Sequence, residues 1–347
     1  MQFIKPDVNI DFVGMRKFAY ALTITLAVIG IISLIVHRGP RYGVDFEGGT
    51  SIHIKFSNAV NIADIEKCIT GLGLEKPSIQ RFGNESDHEF QIRTPLSNIK
   101  NSELGETLKD SLTKATGVTV IDASLDVVGP QISKDLREKA LFAMFFSMLM
   151  LTIYISGRFE MKWGLSGLMA GILGIPIYLI VQIGGKSSVI SFLIIFALCL
   201  SLVACWFLRL KFALGAIIAL VHDVTITVGV LSLMHVEFTL QIIAALMTLI
   251  GYSLNDTIIV YDRIRETTAK NNRAPLDQII NRSINETLSR TTLTSLLTFL
   301  VVTALYVFGG SVIHYFAFTM LIGIVVGTYS SIFVASPILL AFQGKES

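Results

Sequence analysis

The chain has 347 residues, of which 52% are hydrophobic and 16% charged, and its mean hydropathy is +0.65. Soluble domains are about a quarter charged, so this composition excludes an ordinary water-soluble protein and points to lipid as the solvent. The net charge of +2 gives no footing to nucleic-acid binding, and three cysteines, Cys68, Cys199 and Cys205, make no disulfide framework.

Residues 1–17 carry Lys5, Arg16 and Lys17 ahead of a charge-free run at 18–36. That run is too long for a signal-peptide core, and His37-Arg38-Gly39-Pro40 offers no small-residue cleavage site, so it reads as an uncleaved first span. The polar segment 37–139 then reads as one small folded domain. Residues 50–56 (TSIHIKF) alternate as a half-buried strand, 62–72 have helical spacing, and 78–82 and 89–94 are two more strands joined by a polar turn at 83–87. A second amphipathic helix covers 96–116 and a last strand 118–128. The order β-α-β-β-α-β predicts a small α+β ferredoxin-like sandwich. It contains no catalytic cluster, so its expected role is contact with another chain, and no enzymatic activity is expected.

Two glycine-containing turns frame this domain. In YGVDFEGGT, residues 42–50, the Lys-Ser/Thr of a phosphate loop is missing and a strand follows where a helix is needed. Gly43, Gly48 and Gly49 therefore read as a turn that launches the strand, with Asp45 capping or tying it. Gly129 and Pro130 mark the other edge, where polar residues lead into the second span.

A helix needs about 20 apolar residues to cross roughly 30 Å of hydrocarbon. Runs at 140–157, 163–185, 187–208, 212–234, 238–261, 291–312 and 315–342 meet or approach that length, giving eight expected spans. Pro176 and Pro337 are tolerable inside such helices, and the pairs Gly167/Gly171 and Gly323/Gly327 predict close helix contacts. Short-loop basic residues set the orientation. Arg158, Lys162, Arg209, Lys211 and the loop 262–290 fall on the same side as the N-terminus and the tail 343–347, while the opposite short loops hold only Lys186. Both termini are therefore expected in the cytoplasm and 37–139 outside.

Ionisable residues within spans are functional candidates by default, because each costs a few kcal/mol to bury in lipid. Asp223 stands near the middle of its run beside His222. Asp256 follows Asn255, about 9 Å deeper than Asp262. Arg290 opens the next span with Thr294 one turn on, unless it simply pairs with Glu286. Desolvation raises an acid's pKa and a nearby arginine lowers it, so a group under both pressures is suited to switching. Asp262, Arg263, Arg265 and Glu266 read as a solvated helix end.

At these residues the sequence resembles the SecF family of the bacterial Sec export system, relatives of the RND transporters. The matching stretches are YGVDFEGGT at 42–50, VGPQISKDL at 128–136, ALGAIIALVHDV at 213–224, GYSLNDTIIVYDRIRE at 251–266, LSRTTLTS at 288–295 and TMLIGIVVGTYSSIFVAS at 319–336. The resemblance covers 1–160 and 206–342. It implies an accessory translocon subunit of the inner membrane that couples proton flow to late preprotein translocation. The implied partners are a SecD-like subunit, the SecYEG translocon, YajC-like and YidC-like membrane proteins and translocating preproteins. Asp256, Arg290 and Thr294 fall on the family's proton path, Asp223 on its His-Asp pair, and the proton is the coupling ion with no cofactor. Such members have six spans, so 163–210 reads as an added hairpin between 140–162 and a four-helix set at 211–342. A stand-alone RND-like exporter of lipids or small molecules and a non-transporting translocon scaffold are the alternatives.

Overall fold

A computed structural model describes residues 8–72, 78–82, 88–94, 101–182, 187–270 and 274–342. In chain order the elements are α1 (Arg16–Val36), the single turn α2 (Val44–Glu47), β1 (Gly49–Phe56), α3 (Ile62–Gly71), β2 (Ser78–Phe82), β3 (Glu89–Thr94), α4 (Asn101–Thr116) and β4 (Val120–Val128). They continue with α5 (Pro130–Glu160), α6 (Trp163–Gln182), α7 (Ser187–Phe207), α8 (Lys211–Leu233), α9 (Leu240–Lys270), α10 (Leu276–Phe308) and α11 (Gly310–Ser330). A π-helical turn, Ser331–Ala335, and a 3-10 turn, Leu339–Phe342, follow. The expected turn at 83–87, the start of the second amphipathic helix at 96–100, Lys5, Lys186 and the tail 343–347 lie outside the described residues.

The chain forms two compact units. The first, an α/β unit, is Tyr42–Lys139 together with Glu237–Leu240. Its four-stranded sheet has the order β2-β3-β1-β4 with antiparallel neighbours throughout, the arrangement a β-α-β-β-α-β chain makes when both helices cover one face. Ile52, Ile54 and Phe56 alternate onto that face, where they meet Phe90, Ile92, Ile65, Ile69, Leu108 and Leu112. Ile52 sits between Ile92 and Leu125 in register, so a one-residue slip would turn the whole row to the other face. Each such side chain contributes about 1.5–3 kcal/mol by leaving water. Asn61 caps α3, its side chain accepting the Ala63 N–H at 3.2 Å.

The second unit, Met1–Arg41, Ala140–Val236 and Gln241–Ser347, is helical. Six helices among the described residues are long and apolar enough to cross a membrane: α1, α5, α8, α9, α10 and the stretch Val312–Ala341. The other two of the eight expected spans fall on the helices α6 and α7, of 20 and 21 residues, which are not among these six. The described apolar part of α6 is the shorter Trp163–Leu179, and the turn at 183–186 lies outside the described residues.

The two ends of this hairpin meet. Glu160 Oε1 accepts the Phe212 N–H at 2.9 Å, Lys162 Nζ donates to the Leu208 carbonyl at 3.0 Å, and the Phe159 and Phe212 rings stack at 5.2 Å.

Several expected boundaries are corrected. The polar lead-in to the second span is already helical, because Pro130 begins α5 at a position whose N–H needs no partner. The expected loop 262–290 is mostly helix, with α9 running to Lys270 and α10 starting at Leu276. Pairs at helical spacing, Arg263–Glu266, Glu266–Lys270 and Arg282–Glu286, support these polar extensions. The run expected to begin at Phe238 becomes helix only at Leu240, because Glu237–Leu240 joins the α/β unit.

The two glycine pairs differ. Among the described residues, a Cβ placed on Gly167 would meet nothing within 4 Å, and one on Gly171 would meet only Ile175 of its own helix. Gly323 and Gly327 do take a helix, with Leu249 and Ser253 of α9 against them. A pair not expected, Gly30 of α1 and Gly229 of α8, brings those backbones together: a Cβ on Gly30 would lie 2.9 Å from the Gly229 Cα.

Candidate functional site

Two carboxylates lie inside the helical unit, Asp223 with 1% and Asp256 with 2% of its surface exposed. Both are buried within apolar stretches of their helices, so each must find partners on neighbouring helices. The partners are hydroxyls. Asp223 Oδ2 accepts from Ser330 Oγ of α11 at 2.8 Å and from Ser253 Oγ of α9, while Oδ1 shares a hydrogen bond with His222 Nδ1 at 2.8 Å. Asp256 Oδ2 accepts from Ser295 Oγ of α10 at 3.0 Å, and Thr328 Oγ1 of α11 donates to that serine oxygen at 2.8 Å. Ser253 and Asp256 are three residues apart on α9, about 4.5 Å along the axis, so the two acids belong to one polar seam through α8, α9, α10 and α11.

The seam closes because the backbones come close. A Cβ on Gly327 would stand 2.9 Å from the Ser253 Cβ, so glycine is what lets Ser253 lie between α9 and α11. Just beyond Ser330 the chain widens into the π turn Ser331–Ala335, where Ser336 Oγ donates to the Ser331 carbonyl five residues back. Pro337 follows, and its missing N–H and bulky ring are accommodated by this wider turn.

The sequence-predicted residues fall unevenly about this seam. Asp223 and Asp256 form it. Arg290 is exposed and makes no ion pair among the described residues, although its charge is felt at Asp256. Glu286 pairs instead with Arg263 and Arg282, at 2.5 and 2.8 Å. Thr294 Oγ1 donates to the carbonyls of Arg290 and Thr291 on its own helix, and Asn255 is exposed while its neighbour Asp256 is buried. Asp262, Arg263, Arg265 and Glu266 form the paired, solvent-facing end of the helix, with Arg158 reaching Asp262 at 2.5 Å. Ser253, Ser295, Thr328 and Ser330 are functional candidates that a search for charges passes over. Their signal is small hydroxyls recurring inside otherwise apolar runs.

In the α/β unit the glycine turn is built around a different kind of buried charge. Gly48 and Gly49 have φ of 79° and 124°, and a Cβ on Gly48 would lie 3.3 Å from both the Pro130 Cα and the Val128 carbonyl. Gly43 donates its N–H to the Phe238 carbonyl at 2.7 Å, and a Cβ there would lie 3.0 Å from that oxygen. Asp45 Oδ2 accepts the N–H of Leu240, a residue of the same unit, and so ties the turn. Arg93 holds both sides: Nη1 bonds Glu237 Oε1 and Nη2 bonds the Tyr42 carbonyl, each at 2.8 Å. The Gly129 carbonyl accepts from Ser133 Oγ, which also bonds the Val44 carbonyl. His53, on β1, has its pKa held below the usual imidazole value by burial, against the pull of Asp126 and Glu89.

Comparison with known proteins gives a consistent picture. The family described as protein export membrane protein SecD/SecF, C-terminal, matches residues 107–184 and 181–345, and the SecD/SecF GG motif matches 33–60. A protein translocase subunit SecF of Calditerrivibrio nitroreducens is 39% identical over 340 residues, covering 97% of this chain and 95% of that protein. One from Rickettsia typhi is 33% identical over 347 residues, covering 100% of this chain and 96% of its own length. A crystal structure of SecDF, a translocon-associated membrane protein, from Thermus thermophilus matches 99% of this chain with a TM-score of 0.71 at 30% identity. This chain spans 40% of that protein's length.

Proposed function

From the premise that the chain belongs to the SecD/SecF family of protein export membrane proteins, we propose that it is the SecF-type subunit of a protein translocase, coupling proton flow to late steps of preprotein translocation. The observation that carries this reading is Asp256: nearly fully buried, held by one neutral hydroxyl, and in an ion pair with no cation among the described residues. An ionised carboxylate in apolar surroundings needs several donors or a paired cation, whereas a protonated one is satisfied by little. A group so placed changes its partners when it changes its proton. A proton crossing a membrane potential releases about 2.3 kcal/mol per 100 mV, enough to bias two helix packings. Asp256 is the principal proton-carrying group, with Asp223 a second acid on the same seam. Arg290 supplies the countercharge on approach, and Thr294 and Asn255 line the route to it.

The orientation follows from the basic residues at the helix ends: both termini cytoplasmic, the α/β unit in the periplasm, and the whole multi-pass chain in the bacterial inner membrane. That the chain matches two fifths of SecDF supports a SecD-like partner subunit, to which we assign the rest of the site. The SecYEG translocon, YajC-like and YidC-like proteins and the moving preprotein complete the assembly.

The test is Asp256→Asn, scored for potential-driven export after the ATP-dependent steps are complete. Loss of the potential-dependent part at unchanged protein level is the expected outcome. Normal export would remove the proton role and leave a scaffold. Copurification with a SecD-like chain is expected, and a self-sufficient homo-oligomer would point to a stand-alone exporter.

A further inference from the structure

Resting on the proton reading above, we infer that Tyr329 is a positioning residue that passes the protonation state of Asp223 to helix α1. Tyr329 and Ser330 are neighbours on α11, and they face two different helices. Ser330 Oγ bonds Asp223 Oδ2 on α8. The Tyr329 hydroxyl donates to the Ala19 carbonyl of α1 at 2.9 Å and accepts from Thr23 Oγ1 of α1 at 3.3 Å. The Tyr329 ring also lies over the His222 imidazole, with centroids 6.4 Å apart and planes 25° apart, and His222 is the residue hydrogen-bonded to Oδ1. Asp223 is thus read from both of its oxygens by a pair of adjacent residues that hold α1.

The next five residues are the π turn. A π turn carries one residue more than an α turn in the same length and is a frequent site of local rearrangement. When Asp223 takes a proton, one oxygen ceases to be a pure acceptor. The Ser330 hydroxyl and the imidazole nitrogen must then find new geometry, and the turn beside them is the element able to yield. Tyr329 moves with Ser330, and the inner half of α1 moves with Tyr329.

The outer half of α1 is fixed otherwise. Gly30 lies against Gly229, and Ser33 Oγ bonds Ser232 Oγ at 2.9 Å, both on α8. The helix therefore has one anchor on α8 at its outer end and another, through Tyr329 and Ser330 to Asp223, at its inner end, and it continues in sequence toward the Gly43–Gly49 turn. Titratable side chains on the elements around Asp223 are His222 on α8, Tyr329 on α11, Tyr252 and Asp256 on α9, and Tyr20 on α1.

The experiment uses the full chain in lipid nanodiscs, with Cys68, Cys199 and Cys205 replaced by serine and spin labels at the exposed positions 22 on α1 and 297 on α10. Two readouts are taken across the acid range: the infrared carboxyl band, whose Asp223 component is the part lost in Asp223→Asn, and the distance between the labels. In the parent the distance follows the Asp223 band. In Tyr329→Phe, which keeps the ring and removes the bonds to α1, the band still titrates and the pH-dependent change in distance is lost. Ser330→Ala gives the same uncoupling from the other side of the link. A Tyr329→Phe chain whose distance still follows pH overturns the role of Tyr329 alone. A parent in which no buried carboxyl titrates overturns the proton reading itself.

Discussion

Buried charge is handled in opposite ways in the two units. In the α/β unit Glu237 faces Arg93 directly, and the guanidinium also binds the Tyr42 carbonyl. In the helical unit Asp223 and Asp256 have no arginine or lysine partner among the described residues, and serine hydroxyls hold them. A guanidinium can only donate and is always charged, so it suits an acid that stays ionised. A hydroxyl donates or accepts, so it suits an acid in either state. The first arrangement locks a turn, and the second can hold an acid in either state.

Substitutions separate the two designs. Glu237→Ala leaves the half-buried Arg93 with only its longer carboxylate contact among the described residues, to Glu47 at 3.9 Å, and is expected to destabilise the α/β unit by about 3 kcal/mol, read as faster hydrogen exchange in β1 and β3. A change under half that size would mean the pair is dispensable. Gly229→Val drives a side chain into Gly30 and costs about 2 kcal/mol in thermal unfolding, by parting α1 from α8. Asp256→Asn and Asp223→Asn keep shape and hydroxyl partners, so each should cost less than about 1 kcal/mol in the same assay. A loss as large as that of Glu237→Ala would show that these acids are structural ions after all.

The smallest effect is on pH. Burial lowers the folded-state pKa of His53, so below the unfolded imidazole value near about 6.5 the unfolded chain binds more protons. The α/β unit should hold its full stability above that value and lose a little as pH falls through the interval beneath it. His53→Gln should flatten the acid limb of its unfolding curve, and an unchanged limb would assign the acid sensitivity elsewhere.

The α/β unit was the most legible part of the sequence, because period-two alternation in TSIHIKF and helical spacing at 62–72 are local signals. The two buried acids were legible for a related reason: a charge within an apolar run stands out. Their partners did not stand out, because Ser253, Ser295, Thr328 and Ser330 are ordinary residues of a membrane helix until four helices are packed together. Arg290 and Thr294 show the converse. Their spacing places them on one face of α10, yet Thr294 spends its hydroxyl on its own helix. Spacing within one helix says nothing of which neighbour that face meets. Glu237 was hidden differently, since it follows one apolar run and precedes another, and only the fold takes it to Arg93.

The hairpin of α6 and α7 has its entrance and exit within a hydrogen bond of each other, Glu160 to the Phe212 N–H. A loop closed at its base behaves like a cassette: joining residue 162 to residue 211 through a short linker removes 163–210 and leaves the residues of α5 and α8 intact. Such a shortened gene would tell whether the cassette serves export or only lodges in it.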